Sequence, residues 1–410
     1  MNSNAKVTPL EHEERIFILL SSMIYGSQFA VGPIYVIFLL SKGLNYSGVA
    51  IVDSSFLVTL LFTDYLTGAL ADRFGRKLSV SMAFLLWGGG MLVYFFSTHL
   101  FEFVVSEVIA GIGMAFYSGS LEAWLYDTLK EKNLEKNAGR TFGLSGTYGS
   151  LIGAISAIIS GWVASYYLSL PFLIAAAFGI IGSLIAFRCV FESRSSHENE
   201  VITVMKALRL GLSVSKQNRT LMALIFSLSI LFFAYPFLNL YWQPRLIQLG
   251  SPIELLGFSA AGMAIASALT SYISSKLNLK GKFKLSALVG MSIIGVFAFL
   301  ASYAVNYAVL FFLLVAFRGG WGFVRPSTSA WTNSEINSKG RATVLSFQST
   351  FITISGILGM LTSGYLADTY SISIVFLLAS ILFLASLLIT AGIRSKSLPK
   401  TEISVRENGI

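Results

Sequence analysis

The chain has 410 residues and a formal net charge of +9, yet only 12% of its residues are charged, about half the fraction typical of a soluble domain. Hydrophobic residues make up 55% of the sequence, which excludes an ordinary soluble protein and predicts an all-α protein that crosses a membrane many times. The single cysteine, Cys189, excludes an internal disulfide bond and a cysteine metal cluster.

Twelve apolar segments follow one another along the chain, each long enough to cross a bilayer core of about 30 Å. The polar N-terminus (1–15) lacks the pattern of a cleavable signal peptide and is predicted to be cytoplasmic. We number the apolar segments as spans 1 to 12. Their predicted limits are 16–40, 46–70, 78–98, 101–126, 141–165, 169–190, 220–246, 254–276, 284–304, 307–331, 342–366 and 372–393.

The longest polar interval divides the twelve spans into two groups of six. It predicts an N-terminal six-helix bundle over 16–191, a cytoplasmic linker over 192–219 and a C-terminal six-helix bundle over 220–393, followed by a cytoplasmic tail over 394–410. Within the linker, apolar residues recur at helical spacing opposite basic ones. This pattern indicates an amphipathic helix on the inner membrane surface.

The basic residues define the topology of the chain. All but four of the 29 Lys and Arg fall in segments on one side of the membrane or at the adjoining span ends. The positive-inside rule therefore places both termini in the cytoplasm, in a multi-pass protein of the cell membrane. Because topology explains the net charge, we expect no nucleic acid as a partner. The expected partner is the lipid bilayer, and the protein is expected to be a monomer.

Short motifs recur at matching positions in the two halves of the chain. Ala123-Trp124 near the end of span 4 returns as Ala330-Trp331 near the end of span 10, and Gly139-Arg140 before span 5 returns as Gly340-Arg341 before span 11. The two groups of six spans are therefore predicted to be pseudo-symmetric repeats.

A ten-residue loop between spans 2 and 3 reads Gly-Ala-Leu-Ala-Asp-Arg-Phe-Gly-Arg-Lys. Its two glycines allow neighbouring helices to approach closely, and its acidic residue can pair with the adjacent bases or with a helix end. The residues that define this signature loop are Gly68, Asp72, Arg73, Gly75, Arg76 and Lys77.

The loop resembles the signature of the major facilitator superfamily at every diagnostic position. The resemblance implies the major facilitator fold, with twelve transmembrane helices in two pseudo-symmetric six-helix bundles and a substrate site near the midplane between them. It also implies a secondary transporter that works by alternating access. In that family the loop lies on the cytoplasmic side and stabilises the outward-facing state.

Two features depart from the drug exporters of that family. Those exporters usually carry an arginine four residues before a glycine in helix 4, where this chain has Glu107 before Gly111. They also carry a Gly-Pro pair in helix 5 that marks proton antiporters, and span 5 of this chain has no proline.

Ionisable residues inside the spans are candidates for substrate binding or proton coupling, because each costs about 3 kcal/mol or more at the bilayer centre. In the resembled family, helices 1, 4, 7 and 10 line the cavity and helices 3, 6, 9 and 12 lie outermost, and the charges avoid that outermost set. The candidates are Asp53, Asp64, Glu107, Glu122, Arg318 and Arg325. Polar residues on spans 1 and 7 complete the predicted lining: Tyr25, Gln28, Tyr35, Asn239 and Gln243.

Helical geometry singles out one pair of these charges. Glu122 and Arg325 fall at similar depth on spans 4 and 10, which are expected to face each other. We predict that Glu122 is charged when Arg325 is near and protonated when the halves separate, which would couple one proton to substrate movement. A fixed structural ion pair is the alternative for these two residues. Asp64 could instead complete the signature loop, and Asp53 and Glu107 could simply face water.

The sequence thus predicts a secondary active transporter for a small organic compound, with proton-coupled export of amphipathic compounds as the leading function. The alternative is proton-coupled uptake or exchange of a small organic anion, favoured by Arg318 and Arg325. A remote alternative is a membrane sensor that does not transport. The sequence has no ATP-binding loop, nucleophile constellation or metal-ligand cluster, so we expect neither an enzyme nor a cofactor or metal site.

Overall fold

The computed structural model describes residues 10–192, 218–278, 282–336 and 341–393, except for the side chains at positions 64–74, 278 and 342. The amphipathic helix predicted in the linker lies outside the described residues, as does the C-terminal tail. Throughout the described part of the chain the regular elements are helices, and it contains no strand.

Eleven helices are long and apolar enough to cross a membrane, and one bent pair brings the number of spans in the described residues to twelve. This confirms the predicted twelve-helix membrane fold. In chain order the spans are His12–Val31 with Tyr35–Ser41, Tyr46–Phe74, Arg76–Phe96, Leu100–Glu131, Ala138–Ala164, Leu170–Cys189, Arg219–Asn239 with Trp242–Gln248, Glu254–Asn278, Phe283–Ser302, Tyr307–Glu335, Arg341–Thr369 and Ile372–Gly392.

Spans 1 and 7 are each broken near the end predicted to face outside. Span 1 bends by 43° between its two helices, at the Gly32-Pro33 step, because proline has no N–H group and its ring interferes with the preceding turn. Span 7 contains Pro236 and breaks one turn later, at Leu240. Such breaks at membrane depth are stable only where other groups pair with the freed backbone atoms.

The two halves contact each other in a symmetric pattern. Span 5 packs against span 8 of the other half, and span 2 packs against span 11. Small residues allow these approaches, since a side chain on Gly257 would collide with the backbone of Ala157, and one on Gly364 with Ala50. Within each half, the repeated tryptophans Trp124 and Trp331 are both fully buried. The packing therefore follows the repeat that the sequence indicates.

The predicted orientation can be tested at Cys189, which is partly exposed at the end of span 6. A membrane-impermeant maleimide added to intact cells should leave Cys189 unlabelled, because that end is predicted to be cytoplasmic. The control is Val305→Cys in a Cys189→Ser background. Position 305 is 87% exposed in the loop between spans 9 and 10 and should be labelled from outside. Efficient labelling of Cys189 from outside would show that the chain has the opposite orientation in the membrane.

Candidate functional site

A cavity of about 1100 Å³ lies between the two halves of the molecule. Spans 1 to 5 line it on one side and spans 7, 8 and 10 on the other. Hydrogen bonds join the halves at the end predicted to face outside. At the opposite end, Glu122 and Arg325 are exposed side chains of the cavity wall. The cavity is therefore closed toward the predicted outside and open toward the predicted cytoplasm.

The break in span 1 is completed by a side chain of the opposite half. The amide of Gln243, on span 7, accepts a hydrogen bond from Val36 N–H at 3.0 Å and donates one to the Gly32 carbonyl at 2.8 Å. Gln243 is only 3% exposed and Val36 only 1%, so the Val36 N–H would otherwise be buried without a partner. This one amide both stabilises the broken helix and closes the cavity.

A second contact between the halves joins spans 2 and 11. The carboxylate of Asp368, near the end of span 11, accepts hydrogen bonds from the backbone N–H groups of Tyr46 and Ser47 at 2.8 and 2.9 Å. These are the first residues of span 2, whose N–H groups have no partner within their own helix. The negative charge also interacts favourably with the helix dipole. One half thus caps a helix of the other.

The structure brings most of the predicted site residues together around this cavity. Five of the charged candidates line it, and so do the predicted polar residues of spans 1 and 7. The charged residues are Asp53, Glu107, Glu122, Arg318 and Arg325, and the polar ones are Tyr25, Gln28, Tyr35, Asn239 and Gln243. The side chains of Asp64, Asp72 and Arg73 and the surroundings of Gly68 lie outside the described part of the structure, so the roles of these four residues stay predictions.

Two acidic residues of the N-terminal half, Glu107 and Asp53, lie together at the closed end of the cavity. Glu107 Oε1 accepts hydrogen bonds from the hydroxyl groups of Tyr35 at 2.8 Å and Tyr94 at 2.7 Å, and the two hydroxyl oxygens are 3.1 Å apart. Asp53 lines the same wall and interacts electrostatically with Glu107. Tyr94 is held in place by stacking on Phe172 at 4.9 Å.

Tyr94 was not among the predicted site residues. It belongs to span 3, which the family resemblance placed among the outermost helices, yet Trp87, Met91 and Tyr94 of that span line the cavity. The expectation that span 3 stays outside the lining is therefore wrong. A tyrosine near a span end is indistinguishable in the sequence from an aromatic residue of the membrane interface.

The basic residues lie on the wall formed by the C-terminal half. Arg318 Nη1 donates a hydrogen bond to the hydroxyl of Tyr235, which in turn donates one to Asn239 Oδ1 at 2.6 Å. The ring of Tyr235 packs edge-on against Trp321, with 4.7 Å between centroids. The chain of contacts orients the guanidinium group of Arg318.

Glu122 and Arg325 lie on opposite walls, nearer the open end. Among the described residues, no carboxylate forms an ion pair with Arg318 or Arg325. The predicted Glu122–Arg325 pair is thus not formed while the cavity is open at this end. Whether the two side chains meet when the cavity closes at that end stays a prediction.

The described part of the signature loop lies at the open end of the N-terminal half. Gly75 has a positive φ of 89°, which other residues adopt only with strain, and it separates spans 2 and 3. Arg76 Nε lies 3.7 Å from Asp127 at the end of span 4, and Lys77 lies over the ring of Phe187 on span 6. The loop between spans 2 and 3 therefore also contacts spans 4 and 6 of the same half.

Comparisons with known proteins agree with this architecture. The family model described as Major Facilitator Superfamily matches residues 17–346. Multidrug resistance protein 2 of Bacillus subtilis (strain 168) is 23% identical, with 93% of this chain and 96% of that protein covered. The class H tetracycline resistance protein of Pasteurella multocida is 24% identical, with 82% and 84% covered. The crystal structure of the nucleoside transporter NupG superimposes with a TM-score of 0.76 at 16% identity, covering 93% of this chain and 98% of that one.

Asp368 contributes two hydrogen bonds between the halves at the closed outer end, and Asp368→Ala should weaken this closure. Hydrogen bonds to a charged group contribute about 1.5–3 kcal/mol each, so we expect roughly tenfold or more faster access to the cavity from outside. The measurement is the labelling rate of Gln28→Cys, in a Cys189→Ser background, by an impermeant thiol reagent. Thr369→Ala, at the neighbouring exposed position, is the matched control and should not change the rate. An unchanged rate in Asp368→Ala would mean that other contacts keep this end closed.

Proposed function

This chain belongs to the major facilitator superfamily of membrane transporters, and we propose that it is a proton-coupled secondary transporter that exports amphipathic organic compounds across the cell membrane. The observation that carries this proposal is the cavity of about 1100 Å³ between two halves that are joined at one end. Alternating access needs such a cavity, whose ends open in turn as the halves rock against each other.

The lining of the cavity suits compounds with an apolar body and a few polar groups. Its volume of about 1100 Å³ slightly exceeds the roughly 300–1,000 Å³ of ordinary ligand pockets, which hold compounds of drug size. Aromatic rings and methionines supply the apolar surface: Phe29, Phe56, Trp87, Met91, Met114, Met263 and Phe317. The names of the Bacillus and Pasteurella relatives, which concern multidrug and tetracycline resistance, also support export of organic compounds.

We assign the proton-carrying site to Glu107 and Asp53. Both lie seven residues in from the outer ends of their helices, which puts them at the same depth, about 10 Å from those ends. Two carboxyl groups that share a site poor in water resist being ionised together, so one of them readily takes up a proton. The two tyrosine donors on Glu107 stabilise its charged form once the proton has left.

The geometry links this proton site to the closure of the outer end. Tyr35, which contacts Glu107, is the first residue of the second helix of span 1, and the next residue, Val36, donates its N–H to Gln243. A proton on Glu107 weakens its bonds to the tyrosines and thereby frees this short helix. The bonds to Gln243 must break before the cavity can open outward. Proton binding and opening therefore act on the same seven-residue segment.

Glu122 and Arg325 have a different role in this scheme. They lie toward the open end, on walls that would approach each other when that end closes. An ion pair between them would stabilise the outward-open state, in which the outer contacts are broken. The pair would serve as the inner counterpart of Gln243 and Asp368.

Flux measurements in proteoliposomes with an imposed pH gradient test both the function and the site. Glu107→Gln should abolish accumulation of substrate against its gradient but retain exchange down a gradient, because the amide cannot release a proton. Glu122→Gln should slow both processes and leave coupling intact. Glu102→Gln, in the same span but outside the cavity lining, is the matched control.

Three outcomes would revise the proposal. If Glu107→Gln still accumulates substrate at the wild-type rate and Glu122→Gln does not accumulate it, the proton-coupling residue is Glu122 and not Glu107. If the flux of the wild-type protein does not depend on the pH gradient, transport is not coupled to protons. No flux for any compound of a broad panel would favour the sensor alternative.

A further inference from the structure

We infer that Arg318, together with Tyr235 and Asn239, forms a binding subsite for an anionic group, so that the transported compounds are amphipathic organic acids that carry a carboxylate. The inference rests on the proposed function only in that the protein moves an organic compound through this cavity. It holds for either direction of transport and for any coupling ion.

Arg318 occupies the middle of the cavity. It lies eleven residues from the outer end of span 10, or about 16 Å along the helix, near the centre of the membrane. Its hydrogen bond to Tyr235, and that of Tyr235 to Asn239, fix the guanidinium group at the cavity wall. Of its five N–H donors, one is engaged by a described residue, which leaves donors for a ligand.

The charge of Arg318 differs in kind from the negative charges of the cavity. A carboxyl group becomes neutral by taking up a proton, as Asp53 or Glu107 can, but a guanidinium group stays charged in every protein environment. While the cavity is open at one end, water from outside the protein can enter and solvate it. When the cavity closes around its contents, that water is lost and the charge needs a partner.

The remaining acidic residues of the cavity are poorly placed to supply that partner. Glu107 is bound to two tyrosines at the closed end, and Asp53 lies beside it. Glu122 matches the depth of Arg325, which lies seven residues, or about 10 Å, beyond Arg318. Closure of the inner end would therefore pair Glu122 with Arg325 and leave Arg318 without a counter-charge among the described residues.

The pseudo-symmetric position in the other half offers no counter-charge either. The repeat relates Ala330 to Ala123, an offset of 207 residues, and the same offset relates Arg318 to Gly111. Gly111 packs against Thr59 of span 2. Near it on the cavity wall, Gln28 Nε2 lies 3.8 Å from the sulfur of Met114. The contacts around the position that the repeat relates to Arg318 therefore involve only uncharged groups.

These observations define the ligand by its chemistry. A carboxylate can accept two parallel hydrogen bonds from a guanidinium group, which no neutral group of similar size does as well. The apolar part of the same molecule would contact Met114 and the aromatic rings of the opposite wall. The cavity would then close only around a bound anion. Cationic or neutral compounds of the same shape would leave the charge of Arg318 without a partner.

The test uses matched pairs of probes that differ only in charge: naphthalene-2-carboxylate with naphthalene-2-carboxamide, and anthracene-9-carboxylate with its amide. Binding to the purified full-length protein is measured by ligand-induced thermal stabilisation, and transport by flux in proteoliposomes. We expect at least tenfold tighter apparent binding of each carboxylate than of its amide, and flux of the carboxylates only.

Variants assign the preference to the subsite. Arg318→Gln should lower carboxylate binding at least tenfold, to the level of the amide, while amide binding stays unchanged. Arg318→Lys should retain part of the preference for the carboxylate, because lysine keeps the charge but not the two-donor geometry. Tyr235→Phe should weaken this preference a few-fold. Arg219→Gln removes the same charge outside the cavity and is the matched control. Unchanged amide binding shows that the variants are folded.

The outcomes separate this inference from the proposed function. Equal binding of carboxylate and amide by the wild-type protein would overturn the anion subsite, as would a preference that survives in Arg318→Gln. Transport of a cationic dye such as ethidium, unaffected by Arg318→Gln, would overturn the subsite and leave the transport function standing. If no compound is transported, the proposed function fails, and the binding measurements still decide the subsite.

Discussion

The pairing of Gln243 with the broken backbone of span 1 is the interaction on which the rest of this structure depends. The break frees the carbonyl group of Gly32 and the N–H group of Val36, and the buried N–H needs a partner within the protein. The partner comes from the opposite half of the molecule, at 3.0 and 2.8 Å. The hydrogen bonds that stabilise the break in span 1 are thus the same ones that close the cavity at one end. Asp368 repeats the device at the start of span 2.

The arrangement of charges in the cavity follows from the difference between carboxyl and guanidinium groups. The acidic cluster can change its charge by binding a proton, and it contacts the short helix that Gln243 holds. The arginines on the facing wall keep their charge, so each needs a partner whenever water leaves. Glu122 is available to Arg325, and the substrate itself is the partner that we infer for Arg318. Proton binding and substrate binding would therefore act on opposite walls of one cavity.

Much of the fold was predictable because membrane helices follow rules that depend on local sequence. The apolar runs gave the twelve spans, and the full match of the signature loop gave the family. The cost of burying a charge in lipid directed attention to Asp53, Glu107, Glu122, Arg318 and Arg325, which all line the cavity. Tyr94 could not be predicted as a site residue, because its role depends on a single hydrogen bond to Glu107 on a neighbouring span.

By itself, the sequence determined the membrane-spanning class, the twelve helices, the repeat and the ionisable residues that lipid would not tolerate, since each depends on the composition or period of a single segment. The tertiary structure decided which of these residues act together. Glu107 belongs with Tyr35 and Tyr94, Arg318 with Tyr235, and Gln243 with the break in span 1, across separations in the chain of up to 211 residues. Such partners are set by helix rotation, tilt and contact between the halves, which arise only when all spans pack together.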